Sequence, residues 1–275
     1  ALNGCFEDSS TSDPYAPALD RPNLAGWSDT AKIVLPGDSN LATGTLASRW
    51  DSVVNLSKYA ADVRADLQRI TADWSSRAPV SNSWTVVKTA TDAEGKTLLV
   101  KFSVEGVIQG GLVRIPNSTG PLPVLLFGHP SDGGVNPLHF KILDALLGEL
   151  EGKVIVVAPA FRGETANLDD TFVTSDSARQ SPWDRDVDDA IAMLSASMVN
   201  ITNADPSRVA AVGYSRGAGV VLLAALRDKR IQAVAEIAGP TDFFAPSLQN
   251  VALGLAAGKS YNLPGLDFLE SRYLQ

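Results

Sequence analysis

The apolar positions of this chain change period as it is read from end to end, and each period predicts a different element. Residues 1–30 are rich in Ser, Asp, Pro and Asn and predict an extended tether with few core contacts. Between Trp50 and Trp74 the apolar positions Val53, Leu56, Ala60, Val63, Leu67, Ile70 and Trp74 recur at spacings of three and four. That is one face of a long packing helix over about 50–74, with no chemistry of its own.

From residue 84 the period shortens to two. T-V-V-K-T-A-T, T-L-L-V-K-F-S-V-E and G-L-V-R-I-P read as strands, separated by D-A-E-G-K and V-I-Q-G-G. The glycine-bearing breaks predict an antiparallel meander. After N-S-T-G-P-L-P, short apolar strands alternate with helices. P-V-L-L-F-G, K-V-I-V-V-A-P, R-V-A-A-V-G and I-Q-A-V-A-E-I-A-G are the strands. The helices are 138–150, with Ile142, Leu143, Leu146, Leu147 and Leu150 as the inward stripe, then 184–198, with Val187, Ile191, Leu194 and Met198 inside, and 218–227. This order predicts an α/β fold: a mostly parallel sheet with helices on both faces, preceded by antiparallel strands.

Composition narrows the picture. At 275 residues the chain suits the tether followed by a single domain over 31–275, with its core at 84–244 and a cap-like tail at 245–275. The formal net charge of −8 argues against sequence-independent binding to nucleic acid, which rests on Lys and Arg against phosphate. No apolar run has the length of a membrane-spanning helix. The one cysteine, Cys5, excludes an intramolecular disulfide. Its context, L-N-G-C before a polar E-D-S-S-T-S-D-P, resembles a bacterial lipobox, although Asn3 departs from the residue usual there. On this reading Cys5 carries a lipid anchor and the protein is an exported, periplasmic or cell-surface lipoprotein tethered to a membrane. The plainer reading is a cysteine in a disordered terminus. The acidic cluster D-R-D-V-D-D reads as a solvated helix face and first turn, suited to the helix dipole. No metal site is expected there, because no second ligand cluster accompanies it.

The candidate chemistry sits at G-Y-S-R-G. The pattern G-x-S-x-G is weak alone, but here an apolar strand, 208–212, runs into it and a helix leaves it. Ser215 then stands on a tight strand-to-helix turn whose flanking Gly213 and Gly217 leave room for the crossing. The Arg216 N–H, at the start of the helix, is placed to stabilise an oxyanion.

With these elements in order, the chain resembles the α/β-hydrolase fold, and within it the prolyl-oligopeptidase and dienelactone-hydrolase branch. The resemblance spans about 84–244 and rests on L-L-F-G-H-P-S-D-G-G, A-P-A-F-R-G-E, S-P-W-D-R-D-V-D-D-A, D-P-S-R-V-A-A-V-G-Y-S-R-G-A-G and D-K-R-I-Q-A-V-A-E-I-A-G-P-T-D-F-F. It implies a serine hydrolase in which Ser215 forms an acyl-enzyme with a small-molecule carboxylic ester. No metal or organic cofactor is implied. Many relatives have His-Gly after the third strand of this fold, followed by an oxyanion donor. Here the pair is His129-Pro130, and proline has no N–H, so the second donor falls to Ser131 or Asp132. Arg162, in A-F-R-G-E, is expected to orient a loop, with contact to substrate as the alternative.

In this fold the triad follows the order Ser, acid, His. The histidines of this sequence, His129 and His139, both precede Ser215. His129 reads as a loop-shaping residue and His139 as a helix-start residue. Asp242 stands where some α/β hydrolases place the acid, but no histidine follows it. The expectation is therefore a hydrolase lacking its C-terminal part after about the sixth strand, with acid and histidine in a further segment of roughly 80–120 residues that completes the fold. Two alternatives stay open: a serine peptidase of the prolyl-oligopeptidase type, and a non-catalytic binding protein on a hydrolase core.

Overall fold

The structure, a computed structural model, describes residues 63–77, 79–130, 133–177 and 183–239. The expected tether, the first part of the helix at 50–74, Cys5, Ser131, Asp132, Asp242 and the expected tail at 245–275 lie outside these residues.

Helix α1 (Val63–Ser76) is the second part of the expected packing helix. Its C-terminal end is fastened by charge. Arg77, just beyond it, is buried and pairs with Asp184 at 2.7 Å and Asp188 at 2.8 Å. The Arg227 guanidinium lies 5.5 Å from the centroid of the Trp74 ring.

The meander is present as β1 (Ser81–Thr91), β2 (Gly95–Val104) and β3 (Val107–Pro116), all antiparallel. Asp92 closes the first turn by accepting from the Glu94 and Gly95 N–H groups at 2.9 and 3.0 Å. The second break falls at Glu105-Gly106, with φ of 52° and 82°, the pair of positive values that a type I′ hairpin turn requires. V-I-Q-G-G, expected as that break, is instead the first half of β3. Its glycines mark close approach. A Cβ at Gly111 would overlap the Met193 side chain, and one at Gly110 would lie 2.7 Å from the Val173 carbonyl oxygen.

The sheet continues with β4 (Leu122–Gly128), β5 (Ile155–Pro159), β8 (Ala204–Tyr214) and β9 (Ile231–Ile237), in the spatial order β1-β2-β3-β5-β4-β8-β9. The strands from β5 across to β9 are parallel, and β3 joins them antiparallel. The fold class expected from the sequence, an α/β fold with a mostly parallel sheet, helices on both faces and antiparallel N-terminal strands, is the one observed. The chain leaves β4 toward β5 on one side and leaves β8 toward β9 on the other. The crevice outside the carboxyl ends of β4 and β8 is therefore a topological switch point, where open α/β sheets bind their ligands.

Both faces are covered. On one face lie α2 (Pro137–Leu147) and a hairpin of β6 (Thr165–Leu168) and β7 (Thr171–Thr174). Phe140, Leu143, Ala166, Leu168 and Val173 pack there against Leu125, Phe127 and Val156. On the other face lie α3 (Arg185–Asn200) and α4 (Arg216–Arg227). Val187, Ile191, Leu194, Val220 and Val221 meet Val124, Leu126, Val157 and Ala211.

Two expectations are corrected here. The inward side of α2 is Phe140 and Leu143, with Leu147 partly buried, whereas Ile142, Leu146 and Leu150 are exposed. Arg114 fixes the rotation of the helix: it lies 5.2 Å from the Phe140 ring centroid and pairs with Asp144 on the same side. The acidic cluster is not a solvated face either. Asp186, Asp188 and Asp189 are fully buried, because arginines from distant parts of the chain reach them.

Candidate active site

Strand β8 ends at Tyr214 and α4 begins at Arg216, so a single residue makes the turn. That residue is Ser215, with φ 53° and ψ −121°. These are the angles of the first central position of a type II′ turn, which glycine ordinarily fills. A serine held there stores strain on the order of 1–3 kcal/mol, and the surrounding structure has to impose it. Ser215 is half-buried, and its hydroxyl does not cap the helix that it precedes.

Several contacts impose the turn. The Ser215 N–H donates to the Ile237 carbonyl of β9 at 2.8 Å. Gly128 and Gly213 face each other in the β4–β8 register, and the first turn of α4 passes directly over them. A Cβ at Gly217 would overlap both the carbonyl carbon and the oxygen of Gly128. Trp183 donates its indole N–H to the Arg216 carbonyl at 3.3 Å and packs where a Cβ on Gly219 would stand. The Arg216 N–H occupies the N-terminal end of α4, the positive end of the helix dipole.

The Arg216 side chain turns inward. Its guanidinium binds Glu164 through Nη1 and Asp186 through Nη2, the latter at 2.5 Å, and lies 5.0 Å from the centroid of the Phe161 ring. Burial favours a neutral Glu164, but His129 and Arg216 outweigh it and hold that carboxyl down at about 2. For Asp186 the balance is reversed: burial raises it to about 7 in spite of Arg216. Asp186 also accepts the Arg162 backbone N–H at 3.1 Å.

His129 is fully buried at the exit of β4. Its ring stacks on Phe161 at 4.4 Å. Its Nδ1 meets the Pro130 carbonyl at 3.1 Å, and its Nε2 lies 3.3 Å from Glu164 Oε2. This is the loop-shaping residue expected. His139 is at the third position of α2, where its Nδ1 accepts the Asn136 N–H at 3.2 Å within a capping box. Burial and the neighbouring His129 lower its pKa, which suits a neutral acceptor ring. Arg162 is also structural. Its Nη2 donates to Asp189 at 2.9 Å and its side chain is buried.

The structure thus brings Ser215 and Arg216 to the crevice, while Ser131 and Asp132 lie outside the described residues. The loop that holds them is anchored immediately afterwards. Gly134 packs against Thr165, and the Val135 N–H donates to the Thr165 carbonyl at 3.1 Å. Sequence reading missed Glu164 and Asp186 as partners of the elbow. The only signal was the Arg in G-Y-S-R-G, a long charged side chain beside a buried turn. Among the described residues no group of acidic, histidine or cysteine side chains is arranged to hold a metal ion.

No protein-family model matches this chain, and no curated protein matches it. Solved structures do. The rice cell wall degrading esterase LipA from Xanthomonas oryzae is 21% identical over 59% of this chain and 50% of its own, with a TM-score of 0.40. Acetyl xylan esterase 1 from Thermoanaerobacterium sp. JW/SL YS485 is 17% identical over 81% of this chain and 65% of its own, with a TM-score of 0.45. A cold-adapted esterase from an Arctic intertidal metagenomic library is 16% identical over 62% of this chain and 71% of its own, with a TM-score of 0.44. The match to LipA takes in half the length of that protein.

Proposed function

We propose that this chain carries the nucleophile of a serine hydrolase acting on carboxylic esters. The observation that carries the reading is Ser215, a non-glycine residue held at φ 53° on a one-residue turn between a parallel strand and a helix. Such a turn lifts the hydroxyl out of the sheet and aims a helix N-terminus at the same point. In the proposed reaction Ser215 Oγ attacks the ester carbonyl while a base takes its proton. The Arg216 N–H donates to the oxygen that becomes negative. Collapse of the adduct expels the alcohol with that proton, and water then releases the acid from the acyl-enzyme. Neither histidine of the sequence is the base, because His129 is enclosed by Phe161 and Glu164, and His139 caps α2.

The test is labelling of the intact protein with a fluorophosphonate. The wild type is labelled and Ser215→Ala is not. Labelling that persists in Ser215→Ala, or a folded wild type that is never labelled, removes Ser215 as the nucleophile.

A further inference from the structure

We infer that Glu164 is a positioning residue, which sets the distance between the loop leaving β4 and the Ser215 elbow leaving β8. The inference rests on the hydrolase reading above and names how that site is held in register. Strands β5, β4 and β8 are neighbours, and each sends a loop from its carboxyl end. Glu164 belongs to the loop after β5. Its carboxylate reaches both of the other loops: Oε1 accepts from Arg216, the residue after the nucleophile, and Oε2 lies 3.3 Å from His129 Nε2 at the start of the expected oxyanion loop. Phe161, from the same β5 loop, stacks on His129 and lies beneath the Arg216 guanidinium. One loop thus supplies both the charged and the aromatic contact to the two loops that have to meet across the scissile carbonyl.

The link is built to be stiff. The Glu164 side chain is fully enclosed. Its backbone is fixed on both sides, with its N–H donating to Phe161 at 3.0 Å and its carbonyl accepting the Ser175 N–H at 2.9 Å. Enclosure in low dielectric strengthens the Arg216 hydrogen bond, and it holds His129 Nε2 and Glu164 Oε2 against each other with no other partner for either atom among the described residues. Reacting groups displaced by about 1 Å lose on the order of a hundredfold in rate. A shift in this carboxylate moves the donor loop against the nucleophile without touching substrate.

The experiment compares Glu164→Gln with wild type in the intact enzyme. It uses p-nitrophenyl acetate as substrate and counts active sites by fluorophosphonate titration. Glutamine keeps the size of the side chain and its contact with Arg216 but removes the charge between the two loops. The expected result is a fall in kcat per titrated site of about tenfold to a hundredfold, with KM within about twofold, because alignment is lost and ground-state binding is not. A purely structural role lowers the number of titrated sites and the melting temperature, and leaves kcat per site unchanged. That outcome overturns the inference. Should Glu164→Gln not fold, His129→Gln breaks the same link from the other end and carries the same expectation. If Ser215 is labelled in the wild type and neither variant changes kcat per site, the positioning role fails while the hydrolase reading stands. If wild-type Ser215 is not labelled, the hydrolase reading itself fails.

Discussion

A single methyl group at residue 217 would strike the backbone of the sheet. It would overlap the carbonyl of Gly128 and stand 2.6 Å from the His129 oxygen, and neither is the flexible end of a side chain. Gly217→Ala therefore forces α4 away from β4 and disturbs the elbow. Overpacking of this kind destabilises by about 1–3 kcal/mol, and backbone contacts lie at the upper end. Gly120 supplies the control, because a Cβ there meets nothing within 4 Å. Urea unfolding is expected to show Gly217→Ala losing roughly 2 kcal/mol or more and Gly120→Ala changing by under about 0.5 kcal/mol. Equal midpoints for the two variants would refute the close-approach argument. At this scale much was legible. The glycines around Ser215 signal a crowded turn, because glycine is what such a turn demands. The role of the Arg216 side chain was not legible, since Glu164 and Asp186 lie 52 and 30 residues away along the chain.

Helix α2 shows what periodicity can and cannot determine. Its apolar residues form two interleaved stripes, Phe140, Leu143 and Leu147 on one side and Leu138, Ile142 and Leu146 on the other. Either stripe predicts the helix, and only tertiary contact chooses between them. The choice is visible in the pairing of Arg114 with Asp144 and Phe140, residues on strand and helix that no local pattern joins. Leu143→Ala is therefore expected to lose about 2–5 kcal/mol, the usual range for emptying a buried leucine site. Leu146→Gln, at a position 51% exposed, is expected to stay within about 0.5 kcal/mol of wild type. Chemical denaturation of the two variants separates the stripes, and the reverse order would show that the helix is rotated. Hairpin β6–β7 escapes sequence reading for a related reason. Its strands are four residues each, and its turn is Asp169-Asp170, with φ 54° at Asp169 and no glycine to announce it. Strand β3 misleads in the opposite sense: Gly110 and Gly111 look like a break but make room for Val173 and Met193.

Across the whole molecule, the buried acids of α3 tie the layers together. Asp188 meets Arg77 after α1 and Arg227 at the end of α4; Asp189 meets Arg162 after β5; Asp186 meets Arg216 at the elbow. This network makes stability depend on pH, and its sign follows from the direction of each shift. Burial raises Asp189 to about 8, against the opposing pull of Arg162, with Asp186 and Asp188 pushing the same way as burial. Burial likewise raises Asp186 to about 7. An unfolded aspartate ionises near its ordinary value of about 4. Between that value and the raised one the folded state holds a proton that the unfolded state has released. Stability from these two groups is thus fully present below about pH 4, falls as pH rises, and levels off above about pH 8. Glu164 works in the other direction: its contribution is complete above its ordinary value of 4.5 and is lost as pH falls toward 2. The two trends leave a window near pH 4–5 in which these groups together favour the fold most. Asp189→Asn removes one titration from the upper limb and leaves Arg162 a second carboxylate, Glu105, at 3.5 Å. The unfolding free energy measured in urea from pH 5 to pH 9 is expected to decline with pH in the wild type and to decline less steeply in Asp189→Asn. The variant is compared by its slope, since replacing the carboxyl by an amide also alters its hydrogen bonds to Arg162 and so shifts the overall stability. Parallel slopes for the two proteins would show that Asp189 is ionised throughout. The network would then hold the layers together as fully charged pairs, with no proton exchanged on folding at this site.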